Sequence, residues 1–222
     1  KNVNFVLNDA MIKLESTNHE YLSGIYNLIA KSSSFMNLFC DQKILLAINQ
    51  LMKRRSKATL YLNSNRIRMD MPNDKRYYYG WHRDNNTNIP GSNFIQLWMP
   101  ITGFVGKNLG GLKILEKSQG KNLITSATKN EQKILKNNLE MRTHYYAKVL
   151  KKELYNEKLV ELYAGQAVLF QNSLMHRGDL NVSKKKVRYA ATCFYHDVKL
   201  LNRKFIKRDF KENVKVVYTH KS

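Results

Sequence analysis

Cysteine, proline and acidic residues are all scarce in this chain. Its 222 residues include two cysteines, Cys40 and Cys193, and three prolines. Two thiols cannot build the multi-bridge framework that staples small secreted domains, so a reducing compartment, the cytoplasm, is expected. Acids number 17 against 38 lysines and arginines, a formal net charge of +21. That imbalance says nothing about the fold, but it draws a protein towards polyanions, anionic membrane surfaces or acidic substrates. The heavy use of Lys, Asn, Ile and Tyr is also what an AT-rich coding bias produces, which lowers the functional weight of the charge. No apolar run approaches the roughly 18 to 20 residues that span a bilayer, so membrane contact is at most peripheral. The chain opens on Lys1 and not on methionine, and a segment upstream is left open.

Hydrophobic residues make up 43% of the chain, enough for a real core in one sizeable domain. Residues 18–30 carry Tyr21, Ile25, Leu28 and Ile29 at helical spacing, and residues 35–52 repeat the pattern with Leu38, Ile44, Leu45, Ile48 and Leu51. Two amphipathic helices are expected there, the second closed by the basic cluster 53–57 at the negative end of its dipole. Residues 58–71 read as strand, with Arg66, Arg68 and Asp70 alternating against Ile67, Met69 and Met71. A turn at Pro72-Asn73-Asp74 and three tyrosines, 77–79, lead into Gly80-Trp81-His82-Arg83-Asp84. Residues 85–93 read as a lid-like loop and 94–100 as a strand on which Gln96 and Trp98 share a face. Gly110-Gly111 permits a tight turn before a strand at 112–115. Beyond it we expect a short helix at 128–139, a charged mobile insertion at 148–161 and a hairpin over 159–170 turning at Ala164-Gly165. The basic tail, 199–222, reads as packing on the edge of the core in preference to a nucleic-acid contact.

The chemistry is concentrated around His82 and Asp84. Alternate side chains of a strand share a face, so His82 and Asp84 project together while Trp81 and Arg83 face the other way. Alone, a His-x-Asp reads as a surface loop with a hydrogen-bonded histidine. With a third ligand it becomes a 2-His-1-carboxylate triad, which holds one face of an octahedral Fe(II) and leaves the other open. His176 is the candidate, because it follows the apolar strand 167–170. Arg188 opens a later strand with its guanidinium turned inward, where a planar fork grips a carboxylate. His196-Asp197 cannot chelate one ion, since adjacent strand residues face opposite ways, and His19, His144 and His220 have no partner at ligand spacing. The same donor set suits Zn(II) and hydrolysis, a scheme in which Arg188 has no task.

In order and spacing, RMDMP, WHRD, IQLWMP, NLGGLKIL, GQAVLF, the H-x4-N-x-S stretch from His176 to Ser183, and Arg188 resemble the phytanoyl-CoA dioxygenase family of Fe(II)/2-oxoglutarate oxygenases. The resemblance runs from about Arg68 to Asp197. It implies an α+β, mainly β, double-stranded β-helix (jelly-roll, cupin-like), with N-terminal helices packed on one sheet. The single domain would comprise a helical part, 1–57, a jelly-roll core, 58–198, and a basic extension, 199–222. It further implies Fe(II) on His82, Asp84 and His176, with 2-oxoglutarate and O2 as cosubstrates. Arg188 would take the far carboxylate of 2-oxoglutarate, and Trp98, Gln96 and Ser183 would line its pocket. Asp84 speaks for hydroxylation, since halogenases of this superfamily lack the carboxylate ligand. Three departures stand out: Glu116-Lys117-Ser118-Gln119 replaces a frequent Pro-Gly-Ser-His, Gly178 stands where a hydroxyl residue is common, and Arg188 lies one residue further from His176 than usual. The charge points to an anionic small molecule or a glycan-linked substrate. The alternative is a basic, non-enzymatic module binding nucleic acid or anionic glycan, which requires clustered basic residues interleaved with aromatics. Here the charges are spread along the chain.

Overall fold

The computed structural model describes residues 3–53, 60–75, 80–84, 94–120 and 151–197. The expected basic cluster at 54–57, tyrosines 77–79, the 85–93 loop, the 128–139 helix, His144, the 199–222 tail and its His220 lie outside these residues. Among the described residues four helices come first, α1 (Val3–Thr17), α2 (His19–Lys31), α3 (Ser33–Phe39) and α4 (Gln42–Leu51). The sequence pattern foretells α2, which starts where the Asn18 side chain accepts the Tyr21 N–H at 2.9 Å. It misses α1 and expects one helix where α3 and α4 stand. The break falls at Cys40 and Asp41, where the Asp41 carboxylate accepts the Lys43 N–H at 2.9 Å and caps α4. An acid that hydrogen-bonds to the main chain two residues on competes with helix propagation. The bend brings Phe39 and Ile48, both fully buried, into one cluster with Leu97, Cys193 and Tyr195.

Nine strands follow among the described residues: β1 (Leu60–Asp70), β2 (Phe94–Pro100), β3 (Phe104–Val105), β4 (Leu112–Leu115), β5 (Glu157–Val160), β6 (Leu162–Tyr163), β7 (Val168–Gln171), β8 (His176–Gly178) and β9 (Arg188–Asp197). They pair antiparallel in a four-stranded sheet, β1-β9-β2-β7, a three-stranded sheet, β5-β4-β8, and the small pair β3-β6. In β9 the side chains of Ala191, Cys193 and Tyr195 pack under the helices, and Ala190 packs on the other side with Trp98, Phe170 and Leu112. β9 is buried on both faces and so shows no simple alternation; Arg188 and His196, polar side chains it carries, are enclosed as well.

β1 solves a parity problem. Asn63 pairs with Phe194 but Arg66 pairs with Thr192, so β1 carries one residue more than β9 over this interval. The bulge flips the faces, letting Leu60 and Leu62 before it and Ile67 and Met69 after it all pack towards the helices. At the bulge the Asn65 Nδ2 donates to the Ala30 carbonyl at 3.0 Å, tying the sheet to the last turn of α2.

Two expectations are corrected. The segment 159–170 is not a hairpin: β5 pairs with β4, β6 with β3 and β7 with β2. The Ala164-Gly165 turn, with Gly165 at φ 91°, moves the chain from one sheet to another. Nor is the described part of 148–161 a mobile insertion. Glu157 in β5 is held by Lys152 at 2.6 Å and by Lys113 of β4 at 3.3 Å; residues 148–150 lie outside the description. Among the described residues no helix is long and apolar enough to cross a membrane.

Two side chains on β9 make the packing testable. The Tyr195 hydroxyl, fully buried, donates to the Phe39 carbonyl at the end of α3 at 2.9 Å. Tyr195→Phe strands that carbonyl and is expected to cost about 1–3 kcal/mol, read as a lower urea midpoint at unchanged m. His196 is fully buried against Phe94, ring centroids 4.5 Å apart, and burial holds its imidazole down at about 4. The unfolded chain takes up that proton near pH 6.5 and the folded chain refuses it. The contribution is therefore complete above pH 6.5 and is lost as pH falls towards 4, at up to about 1.4 kcal/mol per pH unit. His196→Gln is expected to flatten the stability profile over that window, measured by urea unfolding at stepped pH.

Candidate metal centre

The site begins with a two-residue ladder. His82 N–H donates to the His176 carbonyl and His176 N–H to the His82 carbonyl, both at 2.9 Å, an isolated bridge that lengthens β8 sideways. Directly opposed residues of an antiparallel pair send their side chains to the same face, so the two imidazoles meet, ring centroids 4.4 Å apart. Asp84 follows on that face, and its N–H donates to the Asn172 carbonyl at 3.1 Å. Asn172 in turn donates to the Phe94 carbonyl at 3.1 Å, pinning the β7–β8 loop to the start of β2. One ligand atom each from His82, Asp84 and His176 lies within 4.8 Å of the others, with His176 Nε2 3.4 Å from Asp84 Oδ2.

Orientation decides what this cluster can bind. His82 Nδ1 lies 2.7 Å from the Gly80 carbonyl and His176 Nδ1 lies 3.0 Å from the Leu174 carbonyl. A carbonyl only accepts, so each ring would place its Nδ1 proton there, which makes Nε2 the nitrogen that would meet a metal. Two neutral imidazoles and a carboxylate, all largely buried, are the donor set of a divalent transition metal. The fit rests on these anchored rings and not on proximity alone.

Several side chains hold the frame. Ser118, fully buried, donates to the Leu115 carbonyl at 2.7 Å and accepts the Met175 N–H at 3.0 Å, joining the residue before His176 to the end of β4. It is the serine left in place of the frequent Pro-Gly-Ser-His. On the reverse face Trp81 packs with Leu115 and Met175, with the Arg177 guanidinium and the Lys152 ammonium each 5.3 Å from its ring centroid. The Phe170 ring meets His176 edge-on at 4.9 Å.

Arg188 is buried, 5% exposed, and closely engaged. Its Nε and Nη2 donate to Asp70 Oδ2 at 2.9 and 2.8 Å, and its Nη1 donates to the carbonyls of Gly110 and of Asp179, the latter at 3.0 Å. Burial pushes the Asp70 carboxyl up, but the Arg68 and Arg188 guanidiniums outweigh it and hold the group below its usual range. Gly110, at φ 80°, leaves room that no side chain could: a Cβ there would fall 2.3 Å from the Asp179 carbonyl. A Cβ on Gly178 would meet only the Arg188 fork, at 3.6 Å, so the guanidinium lies beside β8 two residues beyond His176.

The remaining expected site residues divide. Gln96 and Trp98 lie buried on the inter-sheet face of β2; Trp98 joins the core with Phe170 and Ala190, whereas Gln96 Oε1 is enclosed and accepts no hydrogen bond among the described residues. Ser183 is not brought to the cluster. Its hydroxyl, with a single proton, lies 2.6 Å from Asn181 Oδ1 and 2.8 Å from the Lys186 carbonyl, and it accepts the Lys186 N–H at 3.3 Å, shaping the turn before β9. The pattern included Asp70 and Asn181 but gave neither a site role; Asn181 Nδ2 donates to the Asp70 carbonyl at 2.8 Å. A lone acid among the arginines of β1 was the available signal.

The sequence model of the phytanoyl-CoA dioxygenase (PhyH) family matches residues 16–190. A search of curated proteins found no significant match. Among solved structures, EctD from S. alaskensis, with 2-oxoglutarate and 5-hydroxyectoine, is similar at TM-score 0.55 and 16% identity, over 80% of this chain and 57% of that one. EvdO2 from Micromonospora carbonacea var. aurantiaca, complexed with 2-oxoglutarate, matches at 0.55 and 12% identity, over 73% and 62%. The epimerase SnoN from nogalamycin biosynthesis, in complex with Fe3+, alpha ketoglutarate and nogalamycin RO, matches at 0.54 and 15%, over 75% and 59%. The chain spans 57–62% of the length of these three structures, and at such identities the likeness is one of fold. The family match covers most of the chain and takes in His82, Asp84, His176 and Arg188. The chain belongs to the phytanoyl-CoA dioxygenase family.

Proposed function

We propose that the protein is an Fe(II)- and 2-oxoglutarate-dependent dioxygenase that hydroxylates a C–H bond of an anionic small molecule or a glycan-linked substrate. The observation that supports this reading is the pair of imidazoles whose Nδ1 atoms are taken by the Gly80 and Leu174 carbonyls, each with a ligand atom within 4.8 Å of one from Asp84. The fold is read as a single double-stranded β-helix domain, with β1-β9-β2-β7 and β5-β4-β8 as its two sheets. Its helical part is 1–57, its core 58–198 and its basic extension 199–222.

His82, Asp84 and His176 would hold the metal on one face and leave the opposite positions for the oxo acid and dioxygen. When bound, iron with these cosubstrates supplies the oxidation, in which the oxo acid loses carbon dioxide to become succinate and the substrate C–H bond gains oxygen. Asp84 fills the position a halide would need, which favours hydroxylation. Arg188 would take the far carboxylate through the Nη2 that lies beside Gly178. Two residues of strand, about 6.6 Å, separate this anchor from His176, a span that suits a five-carbon diacid. Trp98 and Phe170 close the inter-sheet space to water, and the amide of Gln96 is left for a bound molecule. Ser183 has no part in this scheme, since its hydroxyl serves the turn.

The anionic substrate rests on the net charge of +21 and on Arg66, exposed on the face of β1 that also carries Arg68. The polyanion-binding alternative gains nothing from the fold. An anaerobic titration with Fe(II) and 2-oxoglutarate is expected to raise a visible charge-transfer band, followed in air by succinate release that rises with one member of a panel of anionic and glycan-linked compounds. Lack of the band in the parent protein, or its survival in His82→Ala, rules out the oxygenase reading. His82→Ala is expected to lower metal affinity beyond the roughly 10- to 100-fold that outer-shell changes cost. Ser118→Ala should fall within that smaller range, because it loosens only the tether before His176.

A further inference from the structure

A guanidinium has five N–H donors in a planar fork. In Arg188, Nε and one Nη2 hydrogen go to Asp70, and the two Nη1 hydrogens go to the Gly110 and Asp179 carbonyls. Among the described residues one Nη2 N–H is left, on the atom beside Gly178. The edge surrendered to Asp70, Nε with Nη2, is one with which arginine grips a ligand carboxylate through two bonds. Asp70 is also firmly set. It stands opposite Arg188 in the β1–β9 register, its carbonyl is held by Asn181 at 2.8 Å, and its second carboxylate oxygen takes Arg68 at 3.2 Å.

Resting on the 2-oxo acid reading above, we propose that Asp70 is an internal carboxylate that competes with the cosubstrate for Arg188. The far carboxylate is then held by one N–H, and the site discriminates weakly between a 2-oxo diacid and a 2-oxo monoacid. Two effects act in the same direction. Asp70 removes the two-bond grip, and its charge cancels much of the attraction that an uncompensated arginine would exert. An ordinary hydrogen bond, the limit for one N–H whose charge Asp70 already offsets, adds up to about tenfold to affinity, whereas a free, charged two-bond grip adds on the order of 100-fold or more.

The test uses the full chain loaded with Mn(II), which binds without turning over. Calorimetric titration with 2-oxoglutarate, and with 2-oxovalerate, which lacks the far carboxylate, yields the ratio of the two Kd values. In the parent protein the ratio is expected below about ten, and in Asp70→Asn it is expected to rise at least about tenfold. A parent ratio above about ten overturns the proposal, and so does an unchanged or smaller ratio in a folded Asp70→Asn. The parent ratio needs no variant, so it decides the matter even if Asp70→Asn does not fold. Failure of the Mn(II)-loaded parent to bind either oxo acid sinks the 2-oxo acid reading itself, whereas binding of both with strong preference for the diacid sinks only the role of Asp70.

Discussion

Two main-chain hydrogen bonds, each 2.9 Å, join His82 to His176 and determine everything else about the site. They make the two histidines a directly opposed strand pair, which forces both rings to one side, and Asp84 is brought to them by its own N–H, held on the Asn172 carbonyl. The neighbouring contacts guard this pairing. Ser118 holds the approach to His176, Asn172 ties Asp84 to the start of β2, and Gly80 and Leu174 set the ring tautomers. A metal centre assembled from side chains alone would tolerate rotation of each ligand. One assembled on a ladder is oriented before any ion arrives, which lowers the conformational cost of binding.

β9 is the element that connects this centre to the rest of the molecule. It carries Tyr195 and Cys193 into the helical layer on one side, and Ala190 and Arg188 towards the inter-sheet space on the other. The bulge in β1 serves the same division, because without the extra residue Met69 and Asp70 would exchange faces and the carboxylate would face the helices. The helical layer and the site are therefore not independent; the register that buries Ile67 and Met69 also sets Asp70 against Arg188.

Four acids of this basic chain stand at its joints. Asp70 and Asp84 sit in the interior, while Asp179 receives Lys113 at 2.9 Å and Arg177 at 3.3 Å, and Glu157 receives Lys113 and Lys152. Half-exposed pairs such as these contribute little individually, about 0–1 kcal/mol each. Their value is geometric: they lie across β4, β5 and β8, the sheet that presents His176, and they keep Arg177 against Trp81.

What could be read from the sequence was whatever depends on neighbours along the chain. The apolar spacing of α2, the alternation of β1 and β2, the Gly110-Gly111 turn and the shared face of His82 and Asp84 are local periodicities, and local sterics produce them. The pattern erred where a short-range competitor or a distant partner intervened. Asp41 stops a helix that the apolar spacing would continue. The strands at 157–171 take partners from other sheets instead of each other, because pairing is chosen by the whole core. Ser183 turns its hydroxyl to Asn181 and Lys186, a choice made by the turn geometry. The sequence by itself determined the ligand types and their alternation. Only the tertiary structure decided that Asp70, 118 positions away along the chain, occupies Arg188, because strand register and one inserted residue, both non-local, place that carboxylate.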